Sequence, residues 1–190
     1  MTSDDTDSGY RIVSENVLFT GPRFQLLDLQ EEGPDGRVWP RQVVRHPGAA
    51  VVLPILDDGR VVLVRQYRTS LGRELLELPA GILDPGEEPA TAAVRELAEE
   101  TGYQAARCEH LLSFCAAPGI TDEIMHVFRA TGLRPGPSSP DEDERVEVEL
   151  HTVEALMEMA RKGQLEDSKT LLGLLYGQAA GVLGSRGDRK

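Results

Sequence analysis

Residues 81–103 read GILDPGEEPATAAVRELAEETGY, and the way this stretch is read decides the fold. Within it, Arg95-Glu96-Leu97-Ala98-Glu99-Glu100-Thr101-Gly102 packs three carboxylates into five residues. On a helix at about 100° per residue, Glu96, Glu99 and Glu100 share a sector of roughly 100°. Ala90, Ala93, Val94, Leu97 and Thr101 gather on the opposing side, so one face is expected to pack and the other to form a carboxylate patch. Like charges at these spacings cost a few tenths of a kcal/mol each, and the C-terminal end of a helix disfavours anions. Unless the patch is simply a solvated face, a counter-charge belongs there. Carboxylates without His or Cys are hard oxygen donors, suited to Mg²⁺ or Mn²⁺. Arg95 stands four residues before Glu99 and is expected to hold it in a fork. Gly81 and Gly86 bound a tight loop leading into the helix, and Gly102 lets the chain leave it.

The flanks are rich in strand signals. Ala49–Leu56 and Val61–Arg68 are β-branched runs joined by Asp57-Asp58-Gly59-Arg60, which reads as a buried hairpin. A second hairpin pattern runs from Glu109 to Ala116, turns at Pro118-Gly119 and returns from Glu123 to Ala130. A loop by composition, RPGPSSPDED, precedes a strand over 145–150 whose Val146, Val148 and Leu150 suit one buried face. Thr152 caps an expected helix with Val153, Leu156, Met157 and Ala160 on one stripe, ending at Gly163, and a last helix is expected over about 168–183. Strands, a helix, strands and then helices make an α+β or mixed-sheet α/β/α domain over 47–183. Residues 10–46 alternate short strands with turns and read as a small antiparallel β lobe, between a disordered tail at 1–9 and a frayed tail at 184–190.

At 190 residues and 40% apolar content the chain has material for one ordinary core. Twenty Lys+Arg against 32 Asp+Glu give a net charge of −12, which argues against nucleic acid and anionic membrane as partners. The polar, acidic start MTSDDTDSG is unlike a signal peptide, and no apolar run approaches a membrane span, so a cytoplasmic location is expected. Cys108 and Cys115 are read as buried thiols.

From Gly81 to Tyr103 the pattern is G-x5-E-x7-R-E-L-x-E-E-x-G-Y. It resembles the Nudix box, G-x5-E-x7-R-E-U-x-E-E-x-G-U with U apolar. Every fixed position matches, and Tyr103 is larger than the usual aliphatic at the final U. The resemblance implies a Nudix α/β/α sandwich with a mixed sheet, carrying the antiparallel lobe in front. It implies metal-dependent attack of water on a diphosphate phosphorus, with Glu96, Glu99 and Glu100 as metal ligands and the Ala80 carbonyl as a further oxygen. Glu87 is the box residue that supports Arg95.

Over residues 40–176 the chain is similar to the ADP-ribose pyrophosphatase branch. Pro118, fifteen residues after Tyr103, matches that branch's marker, as do Val64-Arg65-Gln66-Tyr67-Arg68, Glu77-Leu78-Pro79-Ala80-Gly81 and Asp167-Ser168-Lys169-Thr170. The branch implies that Glu142 acts on the water and that Glu144 touches a metal. It also implies that Arg68 meets a phosphate and that the lobe pairs with a second copy as a homodimer. Trp39 and Phe24 stack on adenine or pack within the lobe, Arg41 reaches phosphate or ribose or lies on the surface, and Glu123 binds ribose hydroxyls. His46 is read as a turn residue. Hydrolysis of ADP-ribose to AMP and ribose 5-phosphate is the reading; another sugar nucleotide, a dinucleoside polyphosphate, or an ADP-ribose-binding module without turnover are the alternatives.

Overall fold

The computed structural model describes residues 8–137 and 145–184. In chain order the elements are β1 (Arg11–Thr20), β2 (Gln25–Glu32), β3 (Val38–Arg45), β4 (Ala49–Ile55), β5 (Val61–Arg68), β6 (Arg73–Glu77), β7 (Ala80–Ile82) and α1 (Pro89–Thr101). They continue with β8 (Tyr103–Gln104), β9 (Arg107–Cys115), β10 (Ile124–Thr131), β11 (Arg134–Pro135), β12 (Val146–His151), α2 (Val153–Arg161) and α3 (Ser168–Ala179). No helix among the described residues is long and apolar enough to cross a membrane.

The chain divides into two compact units, one formed by the residues up to Pro47 with Cys115–Glu123 and the other by Gly48–Phe114 with the residues from Ile124 onward. The first unit is the antiparallel sheet β1-β2-β3. Here β2 and β3 pair in register from Gln25↔Arg45 to Glu32↔Val38, around a turn closed by Gly33 N–H donating to Arg37 O at 2.9 Å. Every residue of β1 is exposed, Ile12, Val17, Leu18 and Phe19 among them. The 115–123 segment lies along β3 through the parallel bridge Val44↔Thr121 and Val44 N–H to Ile120 O at 2.7 Å.

The second unit is a seven-stranded mixed sheet with helices on both faces. Alternation along β4 decides the layering. Val51 and Leu53 face a core completed by Leu156 of α2 and by Leu165, Leu174 of α3 and Leu183, whereas Ala50 and Val52 face Ala92, Ala93 and Leu97 of α1. β10 joins β4 in parallel, Met125↔Ala49 through Thr131↔Ile55, and β12 closes the far side against β5.

Several local expectations change. The β4–β5 hairpin pairs at Ile55↔Val61 and then opens, because the 73–82 segment lies between the two strands, β6 on β5 and β7 on β4. On β12 the alternation is present but the buried face is not: Val148 is 39% and Leu150 36% exposed, while Glu149 on the other face pairs with Arg65 at 2.5 Å. α3 ends at Ala179, and the chain turns through Gly181 at φ 68° to bring Leu183 back into the core. On α1, Ala90 and Val94 are exposed and Ala92 takes the packing role. The two cysteines are free thiols, but Cys115 is exposed and Cys108 half-buried rather than both buried. The 133–137 loop contains β11, which pairs with β8.

Candidate active site

The loop before α1 is built to present a carboxylate. Glu87 N–H donates to Asp84 O at 2.9 Å, and the Glu87 side chain accepts from Asp84 N–H at 3.0 Å, around Gly86 at φ 78°. Pro89 opens the helix, where its missing N–H costs nothing. Gly102 closes it in the left-handed region at φ 70°, its N–H donating to Ala98 O.

Between those ends, Glu96 and Glu100 stand on successive turns and lean on successive residues of β7. The Glu100 Oε2 accepts from Ala80 N–H at 3.1 Å. The Glu96 carboxylate fills the space above Gly81, so that a Cβ built there would lie 1.8 Å from its Oε1. Gly81 has no positive φ; what requires glycine is this close approach. Glu96 and Glu100 are 9% and 4% exposed. The helix therefore turns two of its three carboxylates inward, against the expectation of an open patch, and leaves Glu99 the more accessible.

Arg95 organises the group. Its Nε and Nη2 form a fork on Glu87 at 3.0 and 2.9 Å, its Nη1 donates to Glu96 at 2.6 Å and to Glu99 at 2.9 Å, and its Nη2 also donates to Ile82 O at 3.2 Å. The expected fork on Glu99 is thus a fork on Glu87, with Glu99 held by one nitrogen. The bonds to Glu87, then those to Glu96 and Glu99, push the guanidinium pKa far above its ordinary value against the opposing effect of burial. Arg95 in turn holds the Glu87 carboxyl below the usual carboxylate range.

Beside β7 lies a second ionic group. Arg68 forks onto Glu77 at 2.7 and 2.6 Å, Lys169 also contacts Glu77, and Lys169 reaches Asp167 at 3.0 Å. Glu77 is 1% exposed. Burial alone would raise its pKa, but Arg68 and Lys169 outweigh it and hold the carboxyl below its ordinary value. The Arg68 guanidinium is raised, first by its bonds to Glu77, with the negative fields of Glu100 and Asp167 adding to it. Asp167 caps α3, accepting from Thr170 N–H at 2.9 Å, and the Thr170 hydroxyl accepts from Leu78 N–H at 2.7 Å. Glu77 and Lys169 stand in the two branch-like segments of the sequence, but their pairing was not read from it. A signal existed: an acidic residue inside Leu75-Leu76-Glu77-Leu78 is unaffordable in a buried strand without a cation.

The remaining expected residues lie in the first unit. Arg41 pairs with Glu31 at 3.3 Å, the Trp39 indole covers Gly33, and Phe24 packs on Phe19 with ring centroids 5.9 Å apart. Glu123 Oε1 is 3.5 Å from Nδ1 of His46, and the His46 backbone N–H donates to Asp122 Oδ1 at 2.8 Å. Glu142 and Glu144 lie outside the described residues.

The donor chemistry fits a hard divalent cation: three carboxylates beside the β7 backbone at Ala80–Gly81, where the lack of a Cβ lets the Glu96 carboxylate approach. Among the described residues, no three His, Cys, Asp or Glu side chains are grouped so as to hold a metal ion. Glu96 and Glu99 converge instead on Nη1 of Arg95. Each gives Arg95 one carboxylate oxygen, Oε1 of Glu96 and Oε2 of Glu99.

A model of the NUDIX domain matches residues 44–172. The chain is 38% identical over 168 residues to the ADP-ribose pyrophosphatase of Bacillus subtilis, spanning 87% of this chain and 91% of that protein. It is 37% identical, over the same shares, to the methanol dehydrogenase activator of Bacillus methanolicus. The crystal structure of an ADP compounds hydrolase superposes with a TM-score of 0.79 at 22% identity, covering 90% of this chain and 93% of that one, a likeness of fold. With α1 packed on one face of the mixed sheet and Glu96 and Glu100 of the box seated against β7, these matches place the chain in the NUDIX family of hydrolases.

Proposed function

We propose that the chain hydrolyses the diphosphate of ADP-ribose to AMP and ribose 5-phosphate, with Mg²⁺ as the cofactor and Mn²⁺ able to replace it, in the cytoplasm. The observation that carries this reading is the seating of Glu96 on Gly81 and of Glu100 on Ala80 N–H. The extent of the likeness to the Bacillus subtilis pyrophosphatase supports the choice of substrate.

In this reading the Ala80 carbonyl with Glu96, Glu99, Glu100 and Glu144 holds the cation, which when bound neutralises the diphosphate and acidifies water. Gly81 keeps the Glu96 carboxylate close to the backbone, and Gly102 ends the helix so that Glu99 and Glu100 stay on its last turn. Arg95 and Glu87 fix the direction of the carboxylates. Glu142 accepts the proton of the attacking water. Arg68 meets a phosphate at its outer edge while Glu77 holds its Nε and Nη2. Arg41, Glu123, Trp39 and Phe24 of the first unit serve phosphate, ribose and adenine. The apolar side chains exposed along β1 support a homodimer through this unit.

The test is release of the phosphate-bearing cleavage products from each member of a panel of ADP-ribose, ADP-glucose, GDP-mannose, NADH and diadenosine polyphosphates in Mg²⁺, which for ADP-ribose are AMP and ribose 5-phosphate. ADP-ribose is expected to lead. A far better rate on another member would replace the substrate and leave the chemistry standing; tight binding of ADP-ribose without turnover would make the protein a binding module.

A further inference from the structure

The second unit holds a cavity of about 730 Å³ at the end of β4 away from the box. The two sites are separated along and across the sheet. Ala49–Val51 of β4 pair with β7 at the box, while Ile55 lines the cavity, roughly 13 Å further along the strand at about 3.3 Å per residue. Arg129, which also lines it, alternates with Phe128 and Ala130 of the α1 face, so it projects toward the α2–α3 face.

The lining offers directed donors. Arg107 is exposed at the start of β9. Arg129 is poorly held by the protein: its Nε is buried without a hydrogen-bond partner, and its Nη2 is 3.7 Å from Glu109, beyond hydrogen-bond length. A guanidinium so placed is under-satisfied and keeps hydrogen-bonding capacity for an anion, in competition with its ion pair to Glu109. Thr152 accepts from Ala155 N–H at 3.2 Å as the cap of α2, which leaves its own hydroxyl hydrogen to donate beside the first turn of the helix. Arg60 is committed to Asp58 at 2.7 Å. Asp57 and Glu154 also line the cavity, so its field is close to neutral in a chain of net charge −12. Attraction there rests on placed donors rather than on net charge. Ile55, Val153 and Val182 supply an apolar wall, and the volume lies within the 300–1,000 Å³ of ordinary small-molecule sites.

We propose that this cavity is a second binding site, apart from the box, for a phosphate-bearing organic molecule of mononucleotide size, with Arg107 and Arg129 on the phosphate and the apolar wall against the organic part. It stands whether or not the chain cleaves ADP-ribose.

The experiment titrates AMP, ribose 5-phosphate and inorganic phosphate separately into the full chain in EDTA, reading amide shifts by NMR. AMP is expected to shift Thr131, Gly132, Thr152 and Val153 saturably. Arg107→Gln, at an exposed position where folding is safe, is expected to weaken AMP on the order of tenfold, the size of one charge-assisted contact. Arg129→Gln is expected to weaken it at least as much, while Glu100→Gln leaves it unchanged. The proposal is overturned if no saturable shift arises at millimolar AMP, if the shifts fall on Ala80, Gly81 and α1, or if Arg107→Gln binds as the wild type does. Inorganic phosphate binding as tightly as AMP would overturn the organic part of the assignment.

Discussion

Gly81 and Glu96 are fitted to one another: the Glu96 carboxylate occupies the place where any side chain at position 81 would begin, with Oε1 1.8 Å from the ideal Cβ. Gly81→Ala must therefore displace that carboxylate. The colliding atoms are the end of a flexible side chain, so the fold should survive, with melting within a few degrees of wild type. Turnover should fall about 100-fold, the scale of an ångström misplacement at a reacting centre. Wild-type turnover in a folded Gly81→Ala protein would detach Glu96 from the chemistry.

Glu100→Gln separates charge from geometry. The amide oxygen of Gln can still accept from Ala80 N–H, as Oε2 of Glu100 does at 3.1 Å, so the seating on β7 is kept and the charge is lost. Millimolar Mg²⁺ should raise the melting temperature of the wild type by binding the folded state, and should have little effect on Glu100→Gln. Equal stabilisation of both proteins would place the cation elsewhere.

Arg95→Lys tests the fork. Lysine keeps a charge but cannot bridge Glu87, Glu96 and Glu99 together, as Arg95 does with three nitrogens. A loss of about 1–2 kcal/mol in urea unfolding is expected, discounted because the guanidinium is partly exposed. Turnover should fall further than stability, because Glu96 and Glu99 lose their direction. If stability and turnover were both unchanged, Arg95 would be a surface ion pair.

How much of this was open to a reader of the sequence depended on the range of the interaction. The box was legible because its residues answer one another within a few turns: Gly81, Glu87, Arg95, Glu96, Glu99, Glu100 and Gly102 all lie in one loop and helix. The Thr152 cap and the β4 and β5 runs were legible for the same reason. The placing of 73–82 between β4 and β5 was not, since two β-branched runs around Asp57-Asp58-Gly59 fit a closed hairpin equally well. Alternation on β12 gave the period, but a period of two leaves open whether and which face is covered, and Glu149 pairs with Arg65 while Val148 and Leu150 stay exposed. Glu77 depends on a lysine 92 residues away, a pairing that no local pattern encodes.

Glu77, held against burial by Arg68 and then by Lys169, carries a pH dependence. The folded Glu77 carboxyl titrates below its unfolded value, so its contribution is complete above about pH 4.5 and is lost as pH falls through the folded pKa. Glu87 adds in the same direction through Arg95. Glu77→Gln leaves buried Lys169 with Asp167 at 3.0 Å as a remaining partner, and should cost about 3 kcal/mol at pH 7. Urea unfolding between pH 3 and 7 should also show a shallower acid loss in Glu77→Gln than in the wild type. Parallel curves would remove Glu77 as a source of the acid sensitivity.

The outer strand of the first unit gives the last test. Ile12, Val17, Leu18 and Phe19 are all exposed on β1, and exposed apolar groups so concentrated are the usual mark of an interaction surface. If the cover is a second copy, the chain should sediment at twice its 20.8 kDa, and Phe19→Glu should shift it to the monomer by placing a charge in an apolar contact. Because Phe19 is exposed, the substitution should leave the melting of the separate chain near that of the wild type. Activity then divides two possibilities: a monomer that keeps full turnover on ADP-ribose has a site complete in one chain, and a monomer whose KM rises while its Mg²⁺ response is retained draws substrate contacts from its partner. A wild type that sediments as 20.8 kDa at micromolar concentration would end the dimer and leave β1 to another ligand.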